Sequence, residues 1–210
     1  AEIDTIEGCQ MGTIDIAVVN QSTIGNFIND FQALDIPYLI TSTEQADAVF
    51  LGDIGTRFLD KLSGVQLYGL GIWESGFRNL TNSKRDVNSV DDVAGLKIRT
   101  MENSYHLAFW KAIGANPTPM SFSEVYIGLQ QHTIDAQENP YEVIVSNNLY
   151  EQQDYVVETN HLPHLISLIV NDDFFKDLPA DEQEIMTKAA KIATEYAREQ
   201  SDARIADKRF

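Results

Sequence analysis

Between Gly95 and Pro140 the chain switches repeatedly between short extended runs and helices whose ends are marked by single residues. Asp91-Asp92-Val93-Ala94-Gly95 reads as a helical turn feeding a strand over Leu96 to Thr100. Ser104 is placed to cap a helix running through Ile113, and Gly114 supplies its stop. Asn116-Pro117-Thr118-Pro119 is a stiff extended connector, because its two prolines fix φ and bias the residues before them away from helix. Ser121-Phe122-Ser123-Glu124 has the Ser-x-x-Glu spacing of a capping box and opens the next helix. That helix gives way to a strand whose end is set by Pro140, which holds Asn139 extended. Helices alternating with strands argue for α/β organisation built on parallel strands.

The same alternation extends outward in both directions. Ile3, Ile6 and Met11 lie in what reads as a helix closed by Gly12, ahead of an apolar, β-branched strand over Ile14 to Val19 suited to a sheet covered on both faces. Thr43 to Leu51 and Ile54 to Leu62 read as helices, Leu67 to Trp73 as a strand, Tyr141 to Gln153 as a helix and Leu165 to Val170 as a strand. Pro179 opens the last helix, with Asp181, Glu182 and Glu184 in the first turn where the macrodipole favours anions. Its expected core stripe is Ile185, Met186, Ala189, Ile192, Ala193, Tyr196 and Ala197. Gly76 to Ser89 is polar and rich in turn formers, and reads as a crossing between two lobes. Gln10-Met11-Gly12-Thr13-Ile14-Asp15 is echoed by Gln130-Gln131-His132-Thr133-Ile134-Asp135, as two lobes of related build would leave behind, or as chance would. The resulting division is residues 1–76 plus 165–205 for one lobe and 77–164 for the other, with 206–210 beginning a further C-terminal segment.

Composition excludes more than it selects. A chain of 210 residues, 43% hydrophobic, can bury a sizeable core in one domain or two small lobes. A formal charge of −17 is the wrong sign for a nucleic-acid binder, which needs a basic face. No apolar run approaches the roughly 18 residues a membrane-spanning helix requires. The stretch shows no basic-then-apolar leader, which is neutral as to export. Cys9, the lone cysteine, permits no internal disulfide and reads as a small residue on a helix.

Arg99 is the foremost candidate for chemistry. In Leu96-Lys97-Ile98-Arg99-Thr100, alternation puts Lys97 and Arg99 on one face, with Arg99 near the carboxyl end of the strand, where open α/β sheets bind ligands. Its planar guanidinium can hold a carboxylate through two parallel hydrogen bonds. By position alone, a solvated arginine at a strand end is the commoner reading, and the surrounding motifs reverse that order. Arg78 is a second cationic candidate, and Asn139 can donate to a carboxylate or accept from a hydroxyl. Phe122 and Trp73 could wall a cleft or be plain core; Glu74, next to Trp73, would suit a hydroxyl- or amine-bearing ligand or be a surface carboxylate. Enzyme constellations fare poorly. His161-Leu162-Pro163-His164 lacks the partners of a zinc site, Gly69-x-Gly71 lacks the third glycine of a dinucleotide fingerprint, and neither a phosphate loop nor a Gly-x-Ser-x-Gly elbow occurs. Nothing assembles a nucleophile with a base, so no metal, cofactor or catalytic residue is assigned.

Gly95 to Arg99, Gly114 to Glu124 and Gln137-Glu138-Asn139-Pro140 together resemble the solute-binding proteins of tripartite ATP-independent periplasmic (TRAP) transporters. The likeness continues through Gly12-Thr13-Ile14-Asp15, Phe77-Arg78-Asn79, Thr159-Asn160-His161 and Leu178-Pro179-Ala180-Asp181, and so covers nearly the whole chain. It implies two α/β lobes of periplasmic-binding-protein type with a ligand cleft between them, and no enzyme. By that likeness Arg99 pairs with the carboxylate of a small organic acid (a dicarboxylate, sugar acid or other carboxylate). Asn139 and Arg78 assist, Phe122 packs on the ligand, and His161 lies at a polar position near the cleft. The ligand would be captured in the periplasm by lobe closure and delivered to TRAP membrane permease subunits. The family usually has glycine where this chain has His132 and Ala136, and its members run on at both ends, which implies a fold incomplete at both ends. Two further readings stay open: an enzyme on the same scaffold using His161 or Glu74 as base, and a sensor subunit binding the same ligands.

Overall fold

The computed structural model describes residues 1–207. In chain order its elements are α1 (Glu2–Gln10), β1 (Ile16–Asn20), α2 (Gln21–Ile24), α3 (Thr43–Phe50), α4 (Asp53–Lys61), β2 (Leu67–Phe77), β3 (Asn79–Asn82), β4 (Lys97–Thr100), α5 (Ser104–Ala112), β5 (Asn116–Pro119), α6 (Phe122–Gln130), β6 (Ala136–Asn139), α7 (Tyr141–Ser146), β7 (Tyr155–Val157), β8 (Pro163–Asn171), α8 (Asp172–Asp177) and α9 (Ala180–Asp207). They form two compact units, one of residues 1–33, 42–75 and the described residues from 165 onward, the other of residues 34–41 and 76–164. Of the expected closing segment 206–210, residues 208–210 lie outside the described residues.

In the first unit, the described strands make a sheet in the order β1-β8-β2, with β1 and β8 antiparallel and Ile16 opposite Val170. Ala17 and Val19 turn into a core with Ile6, Phe31 and Leu67, whereas Ile16 and Val18 are exposed. The expectation of a strand covered on both faces therefore holds for one face only. Cys9 is packed in this core, where burial and then the Asp15 charge push its thiol up to about 11, so it behaves as a small hydrophobe. The expected stripe of α9 is also corrected. Its buried side carries Ala190, Thr194, Arg198 and Ser201, while Ile185, Ile192 and Tyr196 are exposed. At Thr194 the reason is a close approach: a Cβ on Gly71 of β2 would meet Thr194 Oγ1 at 2.6 Å, so the helix meets the strand there through a small side chain, while Arg198 is buried on the same side.

The second unit holds a mixed sheet in the order β5-β4-β6-β3-β7. β4 is parallel to β5 and β6, whereas β3 is antiparallel to β6 and β7, so the expected parallel organisation applies only around β4. Asn116-Pro117-Thr118-Pro119 is the edge strand β5, a position where missing proline donors cost no ladder bond. Asn79–Asn82, expected as part of a crossing, is instead an inner strand with all four residues buried. Its polar side chains disguise it: Asn79, Thr81 and the Oδ1 of Asn82 find partners within the unit, while Asn82 Nδ2 is buried without one. Gly114 stops α5 with φ +92 as expected, but the cap at its start is Asn103, whose Oδ1 accepts from the N–H groups of Tyr105 and His106. At α6 the chain turns at Ser121 without forming the capping box, and the Ser121 hydroxyl contacts Ser123 instead. His132 takes φ +56, the left-handed region that favours glycine. α5 covers one sheet face through Trp110, Leu80, Ile98 and Ala136, while Val125, Leu129, Ile134 and Ile144 form the core of α6 and α7.

Candidate ligand-binding site

The parallel register of β4 and β6 places Ile98 opposite Ala136. Side chains alternate along a strand, so Arg99 faces the same way as Gln137 and Asn139, away from the Ile98–Ala136 core. Lys97 on that face is exposed, but Arg99 is only 3% exposed. Its Nε donates to the Met120 carbonyl at 2.9 Å, and its guanidinium lies over the Phe122 ring, 5.7 Å from the centroid. Phe122 is the first residue of α6, so that contact brings the positive end of the helix dipole beside the guanidinium. Two sources of positive potential thus coincide at the carboxyl end of β4, an arrangement suited to an anion.

Next to it runs a polar chain. Asn139 Nδ2 donates to Gln137 Oε1 at 2.6 Å, Gln137 Nε2 donates to Thr81 Oγ1 at 2.7 Å, and Thr81 Oγ1 donates to Gln153 Oε1 at 2.8 Å. Gln153 Nε2 ends the series on the carbonyls of Gln152 at 2.7 Å and Asp135 at 3.3 Å.

The opposite face carries a buried ionic cluster. Glu138, flanked by Gln137 and Asn139 on β6, points toward α5 and is gripped by Arg78: Nε to Oε2 at 2.5 Å and Nη2 to Oε1 at 2.9 Å, with Nη2 also donating to the Glu138 carbonyl at 2.6 Å. Arg78 Nη1 contacts His164 Nδ1 at 2.7 Å, and His161 Nε2 contacts Glu138 Oε2 at 3.0 Å. His106 lies between two carboxylates, with Nε2 3.2 Å from Asp35 Oδ1 and Nδ1 3.8 Å from Glu138 Oε1, the latter a charge contact too long for a hydrogen bond. Asn103 Nδ2 also donates to Asp35.

The electrostatics follow from these partners. Burial alone would raise Glu138, but the Arg78 charge and the neighbouring donors hold it well below the usual carboxylate range. Burial works against protonation of His106 too, yet Asp35 and Glu138 outweigh it and hold the imidazole above its ordinary value. His161 is held low by burial, against the partial opposition of Glu138. His164 is pushed down to about 3 by burial and then by the Arg78 charge.

The sequence-derived candidates therefore separate. Arg99, Asn139 and Phe122 come together on the β4–β6 face. Arg78 and His161 do not join them; both are 1% exposed or less and committed to Glu138. Trp73 and Glu74 belong to the first unit, where Trp73 Nε1 donates to Thr194 Oγ1 at 2.7 Å and Glu74 is buried. Sequence reasoning missed Glu138, His106 and Asp35, and also Gln137, Thr81 and Gln153. One signal was present: Gln137-Glu138-Asn139 sets three long polar residues in one short strand, which calls for polar partners on both faces. Among the described residues, no group of three or more His, Cys, Asp or Glu side chains is arranged to hold a metal ion. Nor is any described helix long and apolar enough to cross a membrane.

Comparison with known proteins shows the family. Residues 1–208 match the family model described as bacterial extracellular solute-binding protein, family 7. A solute-binding protein of Verminephrobacter eiseniae is 38% identical over 202 residues, covering 96% of this chain and 60% of the relative. The chain thus spans about 60% of the length of the curated relatives it matches. The sugar-acid-binding protein of Advenella mimigardefordensis, solved with galactonate, superposes with a TM-score of 0.94 at 35% identity, over 98% of this chain and 66% of that one. A TRAP periplasmic solute-binding protein from Polaromonas sp. JS666, solved with D-erythronate, gives 0.94 at 37% identity, over 97% and 67%.

Proposed function

Because this chain belongs to family 7 of the bacterial extracellular solute-binding proteins, we propose that it captures a small hydroxylated monocarboxylate in the periplasm for delivery to a TRAP membrane permease. The observation that carries the reading is the buried guanidinium of Arg99, steadied by Met120 and Phe122 at the carboxyl end of β4, with Asn139 on the same sheet face. Each charge-assisted hydrogen bond from such a group contributes roughly 1.5–3 kcal/mol. Two of them, together with apolar contact, reach the ~8 kcal/mol of micromolar binding. The choice of acid follows the relatives: galactonate and D-erythronate each combine one carboxylate with a hydroxyl on the adjacent carbon. Binding without turnover is the reading because Arg99 and Asn139, the groups assigned to the ligand, include no base or nucleophile. His161, the earlier candidate base, is buried against Glu138 on the other face.

A thermal-shift screen of the intact protein against sugar acids, dicarboxylates and simple monocarboxylates tests this. A true ligand at a hundred times its dissociation constant stabilises by about 2.7 kcal/mol, and the hydroxylated monocarboxylates are the expected responders. Mass spectrometry of the recovered acid should show it unchanged. A flat response to every acid, or a changed mass, refutes the reading.

A further inference from the structure

We infer that Gln153, Thr81 and Gln137 are positioning residues that lock the side-chain amide of Asn139 with its carbonyl oxygen as the outward, ligand-reading end, so that the site selects a hydroxyl on the carbon next to the carboxylate. This rests on the binding reading above and specifies how its substrate class is chosen.

The series is anchored at main-chain carbonyls four hydrogen bonds from Asn139. The Gln153 amide has one end against two backbone carbonyls, those of Gln152 and Asp135. Carbonyls only accept, so that end is the NH2 group and the other end, facing Thr81, is the oxygen. The Thr81 hydroxyl has one proton and donates it to Gln153 Oε1. Toward Gln137 it can then only accept, so Gln137 presents its NH2 there and turns its oxygen to Asn139. Asn139 must meet that oxygen with its own NH2, which directs Oδ1 the other way. No amide in the series can flip without setting two acceptors or two donors against each other. The orientation of Asn139 is therefore dictated by main-chain carbonyls and does not depend on any ligand.

The consequence is chemical. Arg99 stands opposite Gln137 on the neighbouring strand, and Asn139 is two residues further along. With strands ~4.8 Å apart and a rise of ~3.3 Å per residue, the two Cα atoms are about 8 Å apart on one face. A carboxylate on the Arg99 fork brings the substituent of its neighbouring carbon toward Asn139. An outward Oδ1 accepts from a hydroxyl there, gains nothing from a bare methylene, and repels a second carboxylate.

The test uses matched pairs of acids differing only in that hydroxyl: D-erythronate with 3,4-dihydroxybutanoate, and D-galactonate with 2-deoxy-D-galactonate. Calorimetry on the intact wild-type protein is expected to favour the 2-hydroxy member of the pair it binds by about tenfold or more. In Thr81→Val the series is cut without loss of volume, and the preference should fall to within about twofold while the deoxy acid binds as before. Thr81→Ser should restore the preference. Gln153→Met cuts the series at its anchor and should behave as Thr81→Val, so a folding defect in one variant does not decide the case. A preference that survives both cuts, or a wild type that binds both members equally, overturns the inference and leaves the binding reading standing. If neither member of any pair binds the wild type, the binding reading fails and the inference falls with it.

Discussion

Replacing Glu138 with alanine is expected to destabilise the second unit by about 3–5 kcal/mol, measured by chemical denaturation at neutral pH. The size follows from what remains behind. Arg78 is 1% exposed and takes both of its carboxylate contacts from Glu138, so truncation strands a buried guanidinium with only the residue-138 carbonyl and His164 beside it. His161 loses its carboxylate partner in the same step. The pair need not be worth that much in itself, because desolvating two ions offsets much of their attraction. The double variant Arg78→Met with Glu138→Leu should accordingly lose clearly less than Glu138→Ala alone. A loss below about 1 kcal/mol for Glu138→Ala would mean that the cluster does not hold the unit together.

Acid is expected to act on the same cluster well above the range of ordinary carboxylates. His164, held at about 3, and His161, held below its ordinary value of 6.5, stay neutral in the fold where the unfolded chain takes up protons. Below pH ~6.5 the unfolded state therefore binds more protons, and stability falls with pH by up to about 1.4 kcal/mol per unit for each such histidine. From pH 7 to pH 5 the share of His164 alone is about 2 kcal/mol. His106 has the opposite sign: its pKa is raised, so its contribution is full below 6.5 and is lost as pH rises through its folded value. Glu138 is depressed, and its contribution is lost only at lower pH, as its folded value is crossed. Two histidines that lose stability against one that gains leave a net fall on acidification. Urea titrations at pH 7 and pH 5 measure it, and His164→Gln should flatten the difference; equal stability at the two pH values would contradict the assignment of a neutral His164.

What could be read from the residues was local. The glycine stop after α5, the extended Asn116–Pro119 and the placement of Arg99 at the end of β4 follow from φ preferences, proline chemistry and alternation, all set within a few positions. What could not be read depends on partners far along the chain. Arg78 meets Glu138 across 60 residues and His164 across 86, and no spacing rule connects them. His161 and His164 lack the sequence partners of a metal site, and in the fold they meet a carboxylate and an arginine. β3 is hidden for the same reason: Asn79 and Asn82 read as turn formers, and Thr81 can be buried only because Gln137 and Gln153 supply its bonds. In α9 apolar spacing points to Ile185 and Ile192, but the buried side carries Ala190, Thr194, Arg198 and Ser201, with Thr194 set close against Gly71.

The central claim is that Arg99 is the anion clamp. Calorimetric titration of the intact protein and its Arg99→Ala variant with the strongest-binding hydroxylated monocarboxylate tests it most directly. Losing two charge-assisted hydrogen bonds of roughly 1.5–3 kcal/mol each should weaken binding by at least about a hundredfold, with the melting temperature of the free protein little changed. An affinity within twofold of the wild type would contradict the account.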